Sequence, residues 1–257
     1  MSDIWRLKVD SDGIGVLEYD LPDTEVNILT TASMEELKKV LQEIQARRDI
    51  HVLLICSAKK KIFIAGADIK EINGIASEED AFRKAEQGKE VLYDLENLPM
   101  PTITVINGAC LGGGYELALC TDYRVASFSS NVKIGLPEVN LGILPGFGGS
   151  IRMPRLLGLL KSLPLILAGK IVSAEEALKH GMVDFLFPEM SLLEEAKQLA
   201  KRALKEKKGR IRKKRKCNLM TWFLEKTPMG KALVFYQAKK DVLKRSKGSF
   251  MPPRSSK

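Results

Sequence analysis

The stretch Ala109-Cys-Leu-Gly-Gly-Gly-Tyr-Glu-Leu-Ala-Leu119 combines three consecutive glycines with a single carboxylate inside an apolar run. Each glycine costs about 1 kcal/mol relative to alanine inside a helix. A lone glutamate on an apolar face incurs a desolvation cost unless it is paired or neutralised. Because both choices disfavour stability, the stretch predicts a task that needs bare backbone and an acid with a perturbed pKa.

The three glycines, residues 112–114, allow two interpretations. They permit tight packing of the backbone, or they expose an N–H at a helix start to a ligand that a Cβ would exclude. Glu116 then lies in the first turn of a helix predicted over residues 116–120, where a carboxylate is electrostatically favoured.

A second turn of small residues occurs in the stretch Ile62-Phe-Ile-Ala-Gly-Ala-Asp-Ile-Lys-Glu71. Ala65, Gly66 and Ala67 lie between an apolar strand and a predicted helix. In the structural interpretation this is an ordinary strand-to-helix turn that Asp68 caps. In the functional interpretation its backbone N–H groups lie open to an anionic oxygen.

A second glutamate in apolar surroundings, Glu138, follows a proline in the stretch Ile134-Gly-Leu-Pro-Glu138. The glycine-rich stretch after it, residues 142–149, lacks the GK[ST] ending and the GxGxxG spacing of nucleotide-binding loops. Ser150 does not form a GxSxG nucleophile motif either. Nucleotide binding and serine-nucleophile chemistry are therefore disfavoured here.

The sequence thus offers two glycine-flanked turns together with Glu116 and Glu138, which are 22 residues apart. Two exposed N–H donors can hold a carbonyl oxygen as it becomes an enolate. Two carboxyl groups can divide acid and base work once their surroundings separate their pKa values. Together these features predict proton transfer next to a thioester carbonyl.

The composition predicts a soluble protein with one large domain, or one domain plus an appendage. The 257 residues are 45% hydrophobic and 28% charged, and no apolar run reaches the roughly 18 residues of a membrane span. The first residues lack a secretory signal, so we expect a cytoplasmic protein. The four cysteines show no CxxC spacing and only two histidines are present, which disfavours a metal site or a histidine-dependent triad.

The formal net charge of +9 is unevenly distributed. Residues 201–216 contain eleven Lys or Arg and one Glu. This run is either a solvated surface segment or a binding patch for an anionic partner such as nucleic acid. Because no aromatic residues are interleaved to stack bases, we do not expect nucleic-acid binding.

Hydrophobic patterning predicts an α/β core with a helical C-terminal part. Residues 4–19 suggest a two-stranded hairpin, and residues 30–48 a helix capped by Ser33. Strands and helices alternate through the first 150 residues, after which helices dominate, beginning with one predicted over 156–168.

Four long segments now identify a family resemblance. They are FIAGADIKEI, INGACLGGGYELALCTDYRVAS, IGLPEVNLGILPGFGGSIRMPRLLG and ILAGKIVSAEEALKHGMVD. From about residue 14 to 183 the chain resembles the enoyl-CoA hydratase (crotonase) superfamily. The resemblance implies a spiral core of ββα turns over residues 1–190. It also implies C-terminal helices that build trimers, followed by a basic linker or tail, over residues 191–257.

The resemblance also implies catalytic roles. Ala67 and Gly113 would supply the oxyanion-hole N–H groups for the acyl-CoA carbonyl. Glu116 and Glu138 would hold a water molecule between them, with Glu116 assisting its attack on the β-carbon and Glu138 delivering a proton to the α-carbon. In this scheme coenzyme A is part of the substrate, and no separate cofactor is expected.

The resemblance further implies a substrate-binding set. Gly146 aligns with a loop glycine that helps position the water, and Asp68 with neighbouring backbone borders the adenine pocket of coenzyme A. The positive charge of Lys59, Lys60 and Lys61 suggests contact with the coenzyme A phosphates. The expected substrate-binding residues are Ala65, Gly66, Asp68, Ile69, Gly112, Pro137 and Gly146.

Hydration of a trans-2-enoyl-CoA in fatty-acid β-oxidation is the main functional prediction, and enoyl isomerisation through Glu138 alone is compatible with it. Alternatives are other crotonase-type acyl-CoA chemistry, RNA binding, and an assembly role through the C-terminal segment. That segment resembles the linker that follows the N-terminal hydratase module of multifunctional fatty-acid oxidation α subunits. The chain would then be an isolated module, an engineered fragment or a stand-alone relative. Its expected partners are further copies, as a trimer or hexamer, or a thiolase-type β subunit.

Overall fold

The computed structural model describes residues 4–205 and 219–245. Its strands are β1 (Trp5–Val9), β2 (Ile14–Tyr19), β3 (Val52–Ser57), β4 (Ile62–Ile64), β5 (Thr102–Ile106), β6 (Ala109–Leu111), β7 (Tyr123–Ser127), β8 (Ile134–Gly135), β9 (Ile171–Val172) and β10 (Phe185–Phe187). Its α-helices are α1 (Thr31–Ala46), α2 (Ile69–Asn73), α3 (Glu78–Glu96), α4 (Gly113–Ala118), α5 (Gly149–Leu157), α6 (Leu159–Leu167), α7 (Ala174–His180), α8 (Leu192–Lys205), α9 (Leu219–Lys226) and α10 (Pro228–Arg245). Short 3-10 turns cover Glu138–Leu141 and Glu189–Ser191.

The strands form two sheets that the chain visits alternately. The larger sheet has the order β1-β2-β3-β5-β7-β10 and the smaller one the order β4-β6-β8-β9. Three successive strand pairs, β3 with β4, β5 with β6 and β7 with β8, each place the first strand in the larger sheet and the second in the smaller sheet. A helix follows each pair, so the predicted spiral of ββα turns is confirmed.

The larger sheet begins with the predicted hairpin. β1 and β2 are antiparallel, with Trp5 opposite Tyr19 and Val9 opposite Gly15. The Asp10 carboxylate accepts the backbone N–H of Ile14 at 3.0 Å and so closes the connecting turn. Every later neighbour in this sheet pairs in parallel, which is the arrangement that crossover connections produce.

The hydrophobic core lies on both faces of the larger sheet. One face and the smaller sheet pack with α1 and α3 in the main cluster, where the Trp5 ring stacks on Tyr19 at 4.2 Å. On the other face, Leu192, Ala196 and Ala200 of α8 pack against the sheet. The boundary predicted near residue 190 falls just before this helix, but the packing places α8 with the core.

Two helix predictions need correction. Thr30 caps α1 by accepting the Ser33 N–H at 3.1 Å, and the Ser33 hydroxyl accepts the Thr30 N–H in return, so Ser33 is the third helical residue and not the cap. The single helix expected over 156–168 is two helices, α5 and α6. They break at Gly158, whose φ of 89° a side chain would strain.

The C-terminal part is helical where the structure describes it. Residues 201–205 of the basic run belong to α8, and residues 206–216 of that run lie outside the described residues. Within 4–205 and 219–245, no helix is both long and apolar enough to cross a bilayer.

Candidate active site

A cavity of about 390 Å³ opens between α1, α3 and the two glycine-containing turns. Apolar side chains of α1 and α3, among them Met34 and Val91, form one side of it. The turn at 65–68, the start of α4 and the turn at 137–138 form another. The cavity therefore places bare backbone and carboxyl groups next to an apolar surface.

The turn at 65–67 is fixed by backbone hydrogen bonds to Leu29. The Leu29 N–H donates to the Gly66 carbonyl at 2.8 Å, and the Asp68 N–H donates to the Leu29 carbonyl at 2.9 Å. Asp68 also caps α2 by accepting the Lys70 N–H at 2.8 Å. These bonds hold Ala67 between two anchored neighbours, and among the described residues its own N–H has no backbone acceptor.

The second turn brings the start of α4 against the first. Gly112 has a φ of 51° and donates its N–H to the Gly135 carbonyl at 2.9 Å. A Cβ at Gly112 would lie 3.7 Å from the Gly66 Cα, so the two turns are neighbours. Gly113 begins α4, where an N–H has no partner within the helix. The structural interpretation of the glycines holds at Gly114, where a Cβ would overlap the Ile64 carbonyl.

The Glu116 carboxyl is buried, with 2% of the residue exposed. Its Oε1 accepts the N–H of Phe147 at 2.8 Å and the N–H of Gly149, the first residue of α5, at 2.7 Å. Burial raises the pKa of Glu116 to about 7; the negative charge of Glu138 adds to this, while the two N–H donors and Arg152 oppose it. The two N–H donors thus fix the orientation of the carboxyl. Its raised pKa means that it titrates near neutral pH.

Glu138 begins the 3-10 turn and is 8% exposed. Neither carboxyl oxygen of Glu138 has a hydrogen-bond partner in another described residue. A Cβ at Gly112 would lie 3.3 Å from Glu138 Oε1, which places this carboxyl beside the second turn. Burial raises the pKa of Glu138 to about 7, and its own backbone N–H opposes the shift.

The two acids are chemically different because of these contacts. Two N–H donors stabilise the ionised form of Glu116, and the N-terminus of α5 adds a favourable dipole. No other described residue donates to the Glu138 carboxyl, so its oxygens stay available to a ligand or water. The arrangement can therefore supply one base and one acid to the same cavity.

All eleven residues predicted for the site line this one cavity. They are Ala65, Gly66, Ala67, Asp68, Ile69, Gly112, Gly113, Glu116, Pro137, Glu138 and Gly146. The lysines 59–61 are not part of the cavity wall, and Lys59 forms an ion pair with Asp20 at 2.9 Å. Within 4–205 and 219–245, no group of three or more His, Cys, Asp or Glu side chains could hold a metal ion.

Three residues that shape the site were not predicted from the sequence. Leu29 contributes only its backbone N–H and carbonyl to the bonds that fix the turn at 65–67, and because other residue types provide the same groups, its role cannot be read from the sequence. The N–H groups of Phe147 and Gly149 hold Glu116, a role that neither the nucleotide-loop comparison nor the water-positioning role expected of Gly146 includes. The glycine-rich stretch that contains them matches no nucleotide-binding motif, so its many glycines still need an explanation. This is the signal in the sequence that could have pointed to another use of its N–H groups.

Comparison with known proteins identifies relatives of this fold and site. Residues 11–228 match the family described as enoyl-CoA hydratase/isomerase. A crystal structure of enoyl-CoA hydratase from Bacillus anthracis superposes with a TM-score of 0.74 at 29% identity, covering 95% of this chain and 92% of that one.

Relatives named fatty acid oxidation complex subunit alpha are similar over almost the whole chain. The protein from Shewanella loihica is 43% identical over 242 residues, which cover 94% of this chain and 34% of that protein. The protein from Shewanella amazonensis is 43% identical over 253 residues, covering 98% of this chain and 35% of that protein. The chain therefore spans about a third of the length of these relatives.

Proposed function

Since this chain belongs to the enoyl-CoA hydratase/isomerase family, we propose that it adds water to a trans-2-enoyl-CoA to give the 3-hydroxyacyl-CoA. The observation that carries the proposal is the pair of buried glutamates, Glu116 and Glu138, facing one cavity beside two glycine-containing turns. Their two different hydrogen-bond environments suit a reaction that needs a base and an acid together.

The thioester carbonyl is held by the N–H groups of Ala67 and Gly113. As water adds to the β-carbon, negative charge develops on this oxygen, and backbone donors fixed in advance stabilise it. Support comes from the anchoring of the first turn to Leu29 and from the position of Gly113 at a helix start. Neither donor must reorganise during the reaction.

Glu116 acts as the base and Glu138 as the acid. The ionised Glu116 takes a proton from water while the water oxygen bonds to the β-carbon of the enoyl group. The neutral Glu138 gives its proton to the α-carbon, so the elements of water are added to the double bond. One proton then returns from Glu116 to Glu138 through solvent, which restores both carboxyls for the next turnover. The hydrogen bonds from Phe147 and Gly149 support this assignment, because they favour the anion at position 116.

The wider setting follows from the relatives. Fatty acid oxidation complex α subunits resemble this chain over almost its whole length, so the substrate is taken to come from fatty-acid β-oxidation in the cytoplasm. The apolar side of the cavity suits the acyl chain, and coenzyme A enters as part of the substrate. A homotrimer or hexamer, or a complex with a thiolase-type β subunit, is the proposed assembly.

The test is a hydration assay with crotonyl-CoA and longer 2-enoyl-CoA thioesters. Glu116→Gln and Glu138→Gln should each lower turnover by about 100-fold or more, because each removes a proton-transfer group. The matched control is Glu90→Gln, an exposed glutamate of α3 that forms only a surface ion pair with Lys38. Full turnover in both site variants, with the fold retained, would show that the two-acid assignment is wrong.

Isomerisation of 3-enoyl-CoA thioesters is a second candidate. The free oxygens of Glu138 favour it, because a carboxyl without fixed donors can take a proton from one carbon and return it to another. Glu116→Gln would then abolish hydration and preserve isomerisation, whereas Glu138→Gln would abolish both. An absence of isomerisation in the wild-type protein would remove this candidate and leave the hydratase proposal intact.

A further inference from the structure

The loop that holds Glu116 is itself held by a partly buried ion pair outside the cavity. Arg152 Nη1 donates to the Phe147 carbonyl at 2.7 Å. Arg152 Nε donates to Glu96 Oε2 at 2.9 Å, at the last residue of α3. These contacts connect the end of α3 to the loop whose N–H groups bind the Glu116 carboxylate.

Arg152 contacts the loop between the two N–H groups that bind Glu116. The Phe147 N–H and the Gly149 N–H, which bind Glu116, belong to two peptide groups separated by one more peptide group. The carbonyl that Arg152 binds belongs to that intervening peptide. Fixing it restricts the rotation of both neighbouring peptides, so Arg152 controls the direction of both donors.

The ion pair is sheltered and makes no contact with the cavity. The side chains of Arg152 and Glu96 are only 12% and 13% exposed, and neither residue lines the cavity. Arg152 also packs on Gly148, where a Cβ would overlap its guanidinium group. Loss of one partner of such a pair leaves the other charge poorly compensated.

We propose that Arg152, oriented by Glu96, is a positioning residue that directs the loop N–H groups of Phe147 and Gly149 onto the Glu116 carboxylate. The inference rests on the proposed function, since the role of Glu116 as the base gives the orientation its purpose. The planar guanidinium group is needed because it binds Glu96 and the Phe147 carbonyl at the same time.

The charge of Arg152 also reaches Glu116. Two charged groups act on this carboxyl: Glu138, which raises the pKa of Glu116, and Arg152, which lowers it. Removing Arg152 therefore shifts the titration of Glu116 to higher pH. This gives a readout that a purely structural role would not produce.

The experiment measures kcat and KM for crotonyl-CoA hydration across about pH 5 to 9 in Arg152→Gln, Arg152→Lys and Glu96→Gln. We expect kcat to fall about 10- to 100-fold with KM changed less than about 3-fold, because misaligned groups reduce turnover more than binding. The limb of the kcat profile that rises with pH should move to higher pH in Arg152→Gln. Arg152→Lys keeps the positive charge but loses the planar guanidinium group that binds two partners. Its pH profile should therefore match that of the wild-type protein, while its kcat stays reduced.

Controls separate the possible failures. Glu90→Gln, in the exposed pair with Lys38 on the same helix, should leave rate and profile unchanged. Folded Arg152→Gln or Glu96→Gln protein with wild-type kcat and an unmoved profile would overturn the proposal, as would an effect confined to KM. If Arg152→Gln does not fold, the fall in kcat without a matching change in KM is tested in Glu96→Gln and Arg152→Lys, and wild-type kcat in both would overturn the proposal.

A second measurement does not depend on turnover. Infrared difference spectra recorded against pH follow the carboxyl band that disappears in Glu116→Gln. This band should titrate at higher pH in Arg152→Gln than in the wild-type protein, and an unchanged titration would overturn the positioning role. If the wild-type protein fails to hydrate any enoyl-CoA, the proposed function fails, and the infrared result still decides whether Arg152 acts on Glu116.

Discussion

The substitution Glu138→Gln is expected to stabilise the folded protein, and to do so only as the pH becomes neutral and alkaline. Burial raises the pKa of Glu138 from 4.5 to about 7, although its own backbone N–H opposes the shift, and no other described residue donates to its oxygens. The folded protein therefore holds this proton more tightly than the unfolded chain does. Glutamine has a similar shape and no ionised form, so it removes this dependence on pH.

The sign and size follow from the two pKa values. The stability contributed by the protonated carboxyl is fully present below pH 4.5 and is lost as the pH rises through about 7. A difference of this size corresponds to roughly 3 kcal/mol as an upper limit. Water in the open cavity screens part of it, so we expect a gain of about 1 to 3 kcal/mol in the variant at alkaline pH.

Urea unfolding near pH 5 and pH 8, at one protein concentration, measures this gain. The two proteins should agree within about 1 kcal/mol near pH 5 and separate near pH 8. Glu90→Gln, whose side chain is exposed, should show no such separation. An equal difference at both pH values, or a less stable variant near pH 8, would refute the conclusion that the Glu138 carboxyl disfavours the folded state when ionised.

Further predictions test packing around the site. Gly114→Ala places a Cβ on the Ile64 carbonyl and should lower the free energy of unfolding by about 1 to 3 kcal/mol or more; an unchanged urea midpoint would contradict this. Gly88→Ala places a Cβ on the Phe147 ring, which lines the cavity, so the ring must move and hydration of long-chain enoyl-CoA should change relative to crotonyl-CoA; an unchanged ratio of kcat/KM values would contradict it. Burial raises the pKa of the Cys110 thiol well above its usual value, so iodoacetamide should label Cys110 in urea and not in the folded protein, as peptide mass spectrometry can show.

Much of the site could be predicted because several of its residues are unfavourable for the stability of the local structure. A glycine run and a glutamate in apolar surroundings each cost free energy, so their presence at 112–116 indicates a use for bare backbone and a perturbed acid. The same signal at Glu138 predicts a second perturbed acid, and Glu138 lines the cavity. Strands and helices alternating along the chain predict an α/β core, whereas the ββα order is implied by the family resemblance.

Other features leave no such signal. Leu29 anchors the first turn through its N–H and carbonyl, which every residue type except proline provides. The break between α5 and α6 depends on Gly158 adopting a positive φ, whereas Pro154 and Pro164, of a residue type that usually breaks helices, both lie inside the helices. Tertiary packing decides these cases.

The glycine-rich loop and the acid that it holds depend on each other. A Cβ at Gly149 would lie 2.9 Å from the Glu116 Cγ and 3.0 Å from its Oε1, closer than side-chain atoms normally approach. The approach that allows the Gly149 N–H to reach the carboxyl therefore requires the absence of a side chain there. Without that donor, Glu116 would keep the Phe147 N–H of the two described donors, and burial would favour its neutral form more strongly. The glycine at 149 thus adds to the difference between a carboxyl with two fixed N–H donors and one to whose oxygens no other described residue donates.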